Sequence, residues 1–257
     1  MLQVTAIPAF EDNYIWMIHD GRRAAVVDPG DATPVLDWLA ATGHALTAIL
    51  LTHHHPDHVG GVAVLSSRHA VPVIGHAEDA HRLPPLSLAV RDGDHLEVPG
   101  LALSLDALAT PGHTVGHICY HAAHTGWLFC GDTLFSAGCG RMFEGTPVQY
   151  QRSLARLAAL PPQTQVFAAH EYTLGNISFA AALTPGDKAV QAALAEIRAL
   201  RARGQSTLPS SIGWERRHNP FLRCDDEEIG TAVHLAGHSA TEVFAAVRLA
   251  KDGFRAP

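Results

Sequence analysis

Seven consecutive residues, Thr52-His53-His54-His55-Pro56-Asp57-His58, form the most informative part of the sequence. They follow the apolar run Ala48-Ile49-Leu50-Leu51, which is typical of a buried strand. They precede the pair Gly60-Gly61, which marks a turn before further apolar residues. The sequence therefore predicts a loop that leaves the end of a strand.

The side chains of this loop are of the kind that bind metals. In an extended segment alternate side chains share a face, so we expect His53, His55 and Asp57 to point one way and His54 the other. Asp57 and His58 are neighbours and we expect them to diverge, which suits two ions better than one. Borderline divalent metals such as zinc accept imidazole and carboxylate ligands. The loop therefore predicts a metal site.

Composition limits the classes of function. The 257 residues suffice for one large α/β domain, or for a medium domain with an appendage. Apolar runs are far shorter than the ~20 residues that span a bilayer, and the N-terminus does not resemble a secretion signal, so we expect a cytoplasmic protein without a membrane partner. The net charge of −7 argues against binding to nucleic acid. A small-molecule substrate fits better.

The cysteines argue in the same direction. Four are present, widely spaced and without a C-x-x-C pair, which disfavours a disulfide scaffold and a thiolate metal site. They are Cys119, Cys130, Cys139 and Cys224.

Three later strand ends each supply one further metal-type side chain. His113 follows the apolar run 101–109, Asp132 follows 127–130, and His170 follows 166–169. Taken singly, each is consistent with a turn histidine or a capping aspartate. Their recurrence favours a site, because α/β enzymes assemble sites from separate strand ends at one edge of a sheet.

Periodicity predicts a β-meander, then alternating strands and helices to about residue 170, and then a helical appendage. Strands are predicted near 4–8, 14–18, 24–27, 48–51, 71–74, 95–98, 101–109, 117–121, 127–130 and 166–168. Helices are predicted at about 31–43, through Leu65, and at about 147–160, 184–204 and 239–252. We therefore expect an α/β (α+β) chain with a catalytic domain over 1–170 and a second domain over 171–257.

The combination His53-x-His55-x-Asp57-His58, Gly112-His113, Asp132 and His170 resembles the metallo-β-lactamase superfamily. The resemblance implies an αββα sandwich of two mixed sheets covered by helices, with a dinuclear site at one edge. It implies that His53, His55 and His113 hold one ion, that Asp57, His58 and His170 hold the other, and that Asp132 bridges both. Two such ions can share a hydroxide and polarise a carbonyl, so hydrolysis is the expected chemistry, with Asp57 and Asp132 positioning the hydroxide.

Further motifs resemble the hydroxyacylglutathione hydrolase family, glyoxalase II, over essentially the whole chain. They are 131–135 (GDTLF), 138–141 (GCGR), 170–173 (HEYT), 219–223 (NPFLR) and 246–252 (AVRLAKD). The resemblance implies a helical domain that binds glutathione through Arg141, Phe143, Tyr172, Arg248 and Lys251. Family members often carry lysine where Arg141 stands and tyrosine where Phe143 stands. The second departure removes a hydroxyl contact.

The resemblance implies a thioesterase that cleaves S-2-hydroxyacylglutathione, such as S-D-lactoylglutathione, in the second step of methylglyoxal detoxification. It implies two divalent metal ions per chain, with zinc preferred and iron or manganese as alternatives, in a monomer whose partner is the glutathione thioester. Two other hypotheses stay open. One is a glutathione-persulfide dioxygenase, and the other is a non-catalytic metal-binding module.

Overall fold

The structure is a computed structural model that describes residues 1–255. Its strands, in chain order, are β1 (Gln3–Ala9), β2 (Asn13–His19), β3 (Arg23–Val27), β4 (Ala45–Leu50), β5 (Val73–His76), β6 (Leu88–Val90), β7 (His95–Glu97), β8 (Ser104–Ala109), β9 (Ile118–Ala122), β10 (Trp127–Gly131), β11 (Leu134–Phe135), β12 (Gly138–Cys139), β13 (Gln165–Ala168) and β14 (Ser210–Ser211). Its α-helices are α1 (Ala32–Thr42), α2 (Pro56–Val59), α3 (Val62–His69), α4 (Pro147–Ala158), α5 (Thr173–Leu183), α6 (Lys188–Ala202), α7 (Ile212–His218), α8 (Glu227–Ala232) and α9 (Ala240–Gly253).

Contacts between Cα atoms divide the chain into two compact units. The first unit comprises residues 1–109 and 116–131. The second comprises residues 110–115 and the described chain from 132 onwards. Along residues 1–255, no helix combines the length and the apolar character that crossing a bilayer would require.

The first unit contains a six-stranded sheet in the order β1-β2-β3-β4-β5-β6. β1, β2 and β3 form the predicted antiparallel meander, whereas β3 to β6 run parallel. Parallel neighbours need a crossover, and α1 and α3 lie in the crossovers that follow β3 and β4. Buried apolar side chains of these strands and helices form one core, including Met17, Val26, Val35, Leu51 and Leu65.

A second group of strands in this unit, β7 to β10, is antiparallel throughout. Tyr120 on β9 is fully buried, and its hydroxyl donates to the carbonyl of Leu51 at 2.9 Å. Leu51 immediately follows β4 and precedes the histidine-rich loop. This bond therefore fixes the start of that loop against the second group of strands.

The second unit is mostly helical. Apolar residues of α5 and α6 pack together, including Ile177, Ala181, Val190 and Leu194. The mixed α/β fold predicted from the sequence is confirmed, and so are α1, α4, α6 and α9. The prediction missed α5, because its residues are apolar on nearly all sides and buried, so they leave no amphipathic pattern.

Candidate metal centre

The first unit contains the histidine-rich loop. After β4 the chain bends at Thr52 and continues to His55, whose backbone lies in the β region. His53 Nε2 and His55 Nδ1 lie 3.1 Å apart, so these two imidazoles share a face as predicted. His54 points elsewhere, and its Nδ1 lies 3.0 Å from Asp79 Oδ2. The alternating pattern therefore separates the two ligand candidates from the third histidine.

The prediction for Asp57 and His58 was wrong. We expected an extended segment in which these neighbours diverge, but Pro56 begins the single helical turn α2. Asp57 Oδ2 and His58 Nε2 lie 3.4 Å apart. Proline is pre-organised for the first position of a helix, so the chain turns one residue before Asp57 and brings the two side chains together.

Close backbone packing holds this turn in place. A Cβ atom on Gly30 would lie 1.8 Å from the carbonyl oxygen of Asp57, so only glycine fits there. On the other side, Asn13 Nδ2 donates to Asp57 Oδ2 at 3.0 Å. The loop after β3 and the start of β2 therefore fix the Asp57 backbone and carboxylate.

Asp28 is a site residue that the sequence prediction missed. Its carboxylate accepts from the Thr52 backbone at 2.8 Å and from the Thr52 hydroxyl at 2.6 Å, and it lies 3.0 Å from His58 Nδ1. Potential ligand atoms of Asp28, His53 and His58 all lie within 4.8 Å of one another. A carboxylate on Nδ1 directs the Nε2 lone pair of a histidine towards a metal. The available signal was a carboxylate directly after β3, the same strand-end position that identified Asp132.

The second unit contains a group of its own, formed by His113, Asp132 and His170. His113 Nε2 lies 3.4 Å from one carboxylate oxygen of Asp132, and His170 Nε2 lies 3.4 Å from the other. Two hydrogen bonds from side chains to backbone carbonyls hold this group. His113 Nδ1 donates to the Arg141 carbonyl at 2.7 Å, and the Tyr150 hydroxyl donates to the Asp132 carbonyl at 3.1 Å. Each oxygen of one carboxylate therefore faces a different imidazole.

A cavity of about 380 Å³ in the second unit brings together four of the five predicted substrate-binding residues. They are Arg141, Tyr172, Arg248 and Lys251. Tyr172 also stacks on the ring of His170, with 4.7 Å between centroids. The cavity wall therefore contacts a ligand candidate. Phe143 is not among the lining residues; it is 61% exposed, and its ring lies edge-on to His113.

Arg248 is buried, with 6% of its surface exposed. Its Nη1 donates to the Cys139 carbonyl at 2.9 Å, and its Nη2 donates to Asp252 Oδ1 at 3.0 Å. Arg141 Nε lies 3.8 Å from the same Asp252 oxygen. Asp252 therefore joins the two arginines on one side of the cavity.

Lys251 has a different environment. Its Nζ donates to the Gly175 carbonyl at 3.1 Å and lies 5.6 Å from the ring centroids of Phe179 and Phe254. Burial lowers the pKa of Lys251 to about 8, and the nearby Arg248 guanidinium adds to this effect. The cavity therefore contains one amine whose charge changes in mildly alkaline solution.

The donor atoms of both units suit divalent metals. They are imidazole nitrogens and carboxylate oxygens, and the four cysteines, all buried free thiols, belong to none of the candidate ligand groups of the described residues. Such mixed nitrogen and oxygen ligands accept zinc, iron and manganese. The ligand chemistry supports divalent metal binding.

Comparison with known proteins identifies two matching families. Residues 9–170 match the metallo-beta-lactamase superfamily, and residues 171–254 match the hydroxyacylglutathione hydrolase C-terminus. A hydroxyacylglutathione hydrolase of Pseudomonas paraeruginosa is 51% identical, over 99% of this chain and 100% of that protein.

Two crystal structures share the fold. ETHE1 from Myxococcus xanthus is 27% identical with a TM-score of 0.68, over 100% of this chain and 93% of that one. TTHA1623 in a di-iron-bound form is 27% identical with a TM-score of 0.61, over 86% of this chain and 100% of that one. Taken with the two family matches and the full-length relative, these findings show that the chain belongs to the hydroxyacylglutathione hydrolase family, glyoxalase II, of the metallo-β-lactamase superfamily.

Proposed function

We propose that the chain hydrolyses S-2-hydroxyacylglutathione, such as S-D-lactoylglutathione, in the second step of methylglyoxal detoxification. Water adds to the thioester carbonyl, the carbon–sulfur bond breaks, and the sulfur takes up a proton, which yields a 2-hydroxy acid and glutathione. The observation that carries this proposal is the contact between His170 and Tyr172, because it joins a metal-ligand candidate to a cavity lined by cationic side chains.

We infer that two divalent ions are held. His53, His55 and His113 would bind one, Asp57, His58 and His170 the other, and Asp132 both. Support comes from the family resemblance and from Asp132, whose two oxygens face two different imidazoles. Zinc is the first choice, with iron and manganese as alternatives. When bound, such ions polarise the carbonyl oxygen and lower the pKa of water.

The side chains of the cavity have separate tasks in this proposal. Arg141 and Lys251 neutralise the carboxylates of glutathione, because guanidinium and ammonium groups form strong charge-assisted bonds to carboxylates. Arg248 adds positive charge and also holds the cavity wall through the Cys139 carbonyl. Tyr172 covers His170. Phe143 offers only its ring, so a family member with tyrosine there would gain about 1 kcal/mol from one hydrogen bond.

We place the catalytic part at 1–170 and the glutathione-binding part at 171–257, in a monomer of the cytoplasm that binds neither nucleic acid nor membranes. The family models, which meet at residue 170, support this boundary. The net charge of −7 supports the absence of a nucleic-acid partner.

A combined assay tests the reaction. Purified protein loaded with zinc should release glutathione from S-D-lactoylglutathione, with one acid formed per thiol and no uptake of oxygen. Consumption of oxygen with glutathione persulfide would favour the dioxygenase alternative. Stoichiometric metal without turnover of either substrate would favour the non-catalytic module.

Substrate recognition is tested separately. Lys251→Ala and Arg248→Ala should each raise KM, with kcat nearly unchanged for Lys251→Ala, because a contact made equally in the ground and transition states affects binding alone. A charge-assisted contact of ~1.5–3 kcal/mol corresponds to a roughly 10- to 100-fold loss in kcat/KM. A small thioester without glutathione is the control, and Lys251→Ala should not affect its hydrolysis. Equal losses for both substrates would contradict the assignment.

A further inference from the structure

Polar side chains from the helices of the second unit bind the backbone of residues 135–140, which we call the hairpin segment. Asn219 Nδ2 donates to the carbonyls of Phe135 at 3.2 Å and Gly138 at 2.9 Å. Asn176 Nδ2 donates to Ser136 at 3.1 Å. The segment between β11 and β12 is thus held by side chains that follow it by 40 to 84 residues in sequence.

Glu215 completes this network. Its side chain is fully buried, and Oε2 accepts from the Ala137 backbone at 2.8 Å and from Asn219 Nδ2 at 3.1 Å. Its Oε1 accepts from the Ser210 hydroxyl at 2.5 Å. Ala137 needs such a partner, because its φ of 55° lies in the left-handed region that a non-glycine residue rarely adopts. Glu215 therefore fixes both the strained residue and the amide of Asn219.

The hairpin segment connects Asp132 with Arg141, the residue whose carbonyl holds His113. Asp132 precedes it, and it leads to Arg141, whose carbonyl accepts from His113 Nδ1. Packing is tight at this junction, since a Cβ atom on Gly140 would lie 2.2 Å from the Asp132 carbonyl and 2.9 Å from His113 Nδ1. A shift of the segment would therefore move the Asp132 backbone and the imidazole of His113 together.

We propose that Asn219 and Glu215 are positioning residues for the metal centre, which act through the hairpin segment on Asp132 and His113. The proposal rests on the proposed function for the role of these two ligands, and it adds a second task to the helical part beyond substrate binding. Neither residue lines the cavity of about 380 Å³ described above, so substrate contact is not their role. Outer partners of metal ligands typically affect metal affinity or activity by roughly 10- to 100-fold when changed.

Asn219→Asp is the primary variant. It replaces a donor by a carboxylate oxygen that faces three acceptors, the carbonyls of Phe135 and Gly138 and the carboxylate of Glu215. We expect zinc retention against graded chelator to weaken by about tenfold or more, and kcat for the thioester to fall by a similar factor, with KM changed less than about threefold. If Asn219→Asp does not fold, Asn219→Ala removes the donors without adding charge and is measured in its place.

Two matched variants separate positioning from loss of stability. Glu215→Gln can keep its oxygen towards Ala137 and Asn219 while its amide donates to the Ser210 hydroxyl, so metal retention and kcat should stay near wild type. Asp187→Ala removes the side chain that accepts from Ala189 and Val190 at the start of α6 and from Arg223 Nη1 at 2.9 Å, none of which belongs to the hairpin segment. It should lower Tm but leave kcat and zinc retention intact.

The results decide as follows. Unchanged zinc retention and kcat in the Asn219 variant overturn the proposal. So does an equal loss of zinc and kcat in Asp187→Ala at a matched fall in Tm, because stability alone would then explain the effect. Zinc retention is measured without substrate. A wild-type protein that fails to cleave the thioester while the Asn219 variant still loses zinc would therefore contradict the proposed function and leave the positioning role supported.

Discussion

Among single residues, Asp132 is placed so that each of its two carboxylate oxygens lies 3.4 Å from a different imidazole. Under the proposal that Asp132 bridges two ions, Asp132→Ala would leave them without a shared anion, so both should bind poorly and turnover should fall by at least about 100-fold. Metal analysis after gel filtration checks this. Asp106→Ala, which alters an exposed carboxylate paired with His95, is the control. A variant that keeps two metals per chain and normal turnover would show that the bridging role is wrong.

Asp28 contributes to metal binding indirectly, through its contact with His58. Its carboxylate selects the tautomer in which His58 Nδ1 carries the proton. Asp28→Asn would present an amide to this nitrogen and favour the other tautomer, so zinc affinity should fall by roughly 10- to 100-fold. Titration with a competing chelator measures the change. An affinity equal to wild type would mean that Asp28 stabilises Thr52 and the loop without tuning the ligand.

Lys251 should give substrate binding a dependence on pH. Its pKa in the folded protein is lowered to about 8, so the ammonium group loses its charge as pH rises through that value. An anionic substrate would then lose one charge-assisted contact, and KM should rise above about pH 8 while remaining flat below it. Steady-state kinetics between pH 6.5 and 9.5 would detect this. Lys251→Arg keeps the charge and should flatten the rise, whereas an unchanged profile in that variant would assign the effect to another group.

Among the helices, α4 and α9 share the same N-terminal capping motif. Thr146 is the N-cap residue of α4 and Ser239 that of α9, and each forms a complete capping box with the residue three positions later. Thr146→Ala and Ser239→Ala should each lower the free energy of unfolding by about 1 kcal/mol, because a backbone donor loses its partner. Urea unfolding measures this change. Unaltered midpoints would mean that water replaces both caps without cost.

For the molecule as a whole, bound metal should add to stability. Removing the metal with a chelator should lower Tm by roughly 5–10 °C if the free metal had been about 100-fold above its dissociation constant. Zinc addition should restore the value. Lower pH should act in the same direction, because imidazole and carboxylate ligands must lose their protons before they bind metal. In Asp132→Ala the chelator should have little further effect, and a full response there would point to a metal bound elsewhere.

The sequence determined the parts of this protein that depend on local patterns. Strand ends followed by histidine or aspartate identified the ligand candidates, and periodicity with capping residues predicted α1, α4, α6 and α9. These signals are local because a helix face, a cap or a polar residue after an apolar run is written within a few neighbouring positions.

The tertiary structure decided what distant residues do to one another. A single helical turn brought Asp57 and His58 together, Asp28 contacted a histidine 30 residues away, and Glu215 with Asn219 held a strained hairpin about 80 residues earlier in the chain. α5 escaped prediction because burial on nearly all sides removes its period. Such features depend on which surfaces meet after folding. The free energy of those contacts comes from residues far apart in the chain, so no pattern among neighbouring residues indicates it.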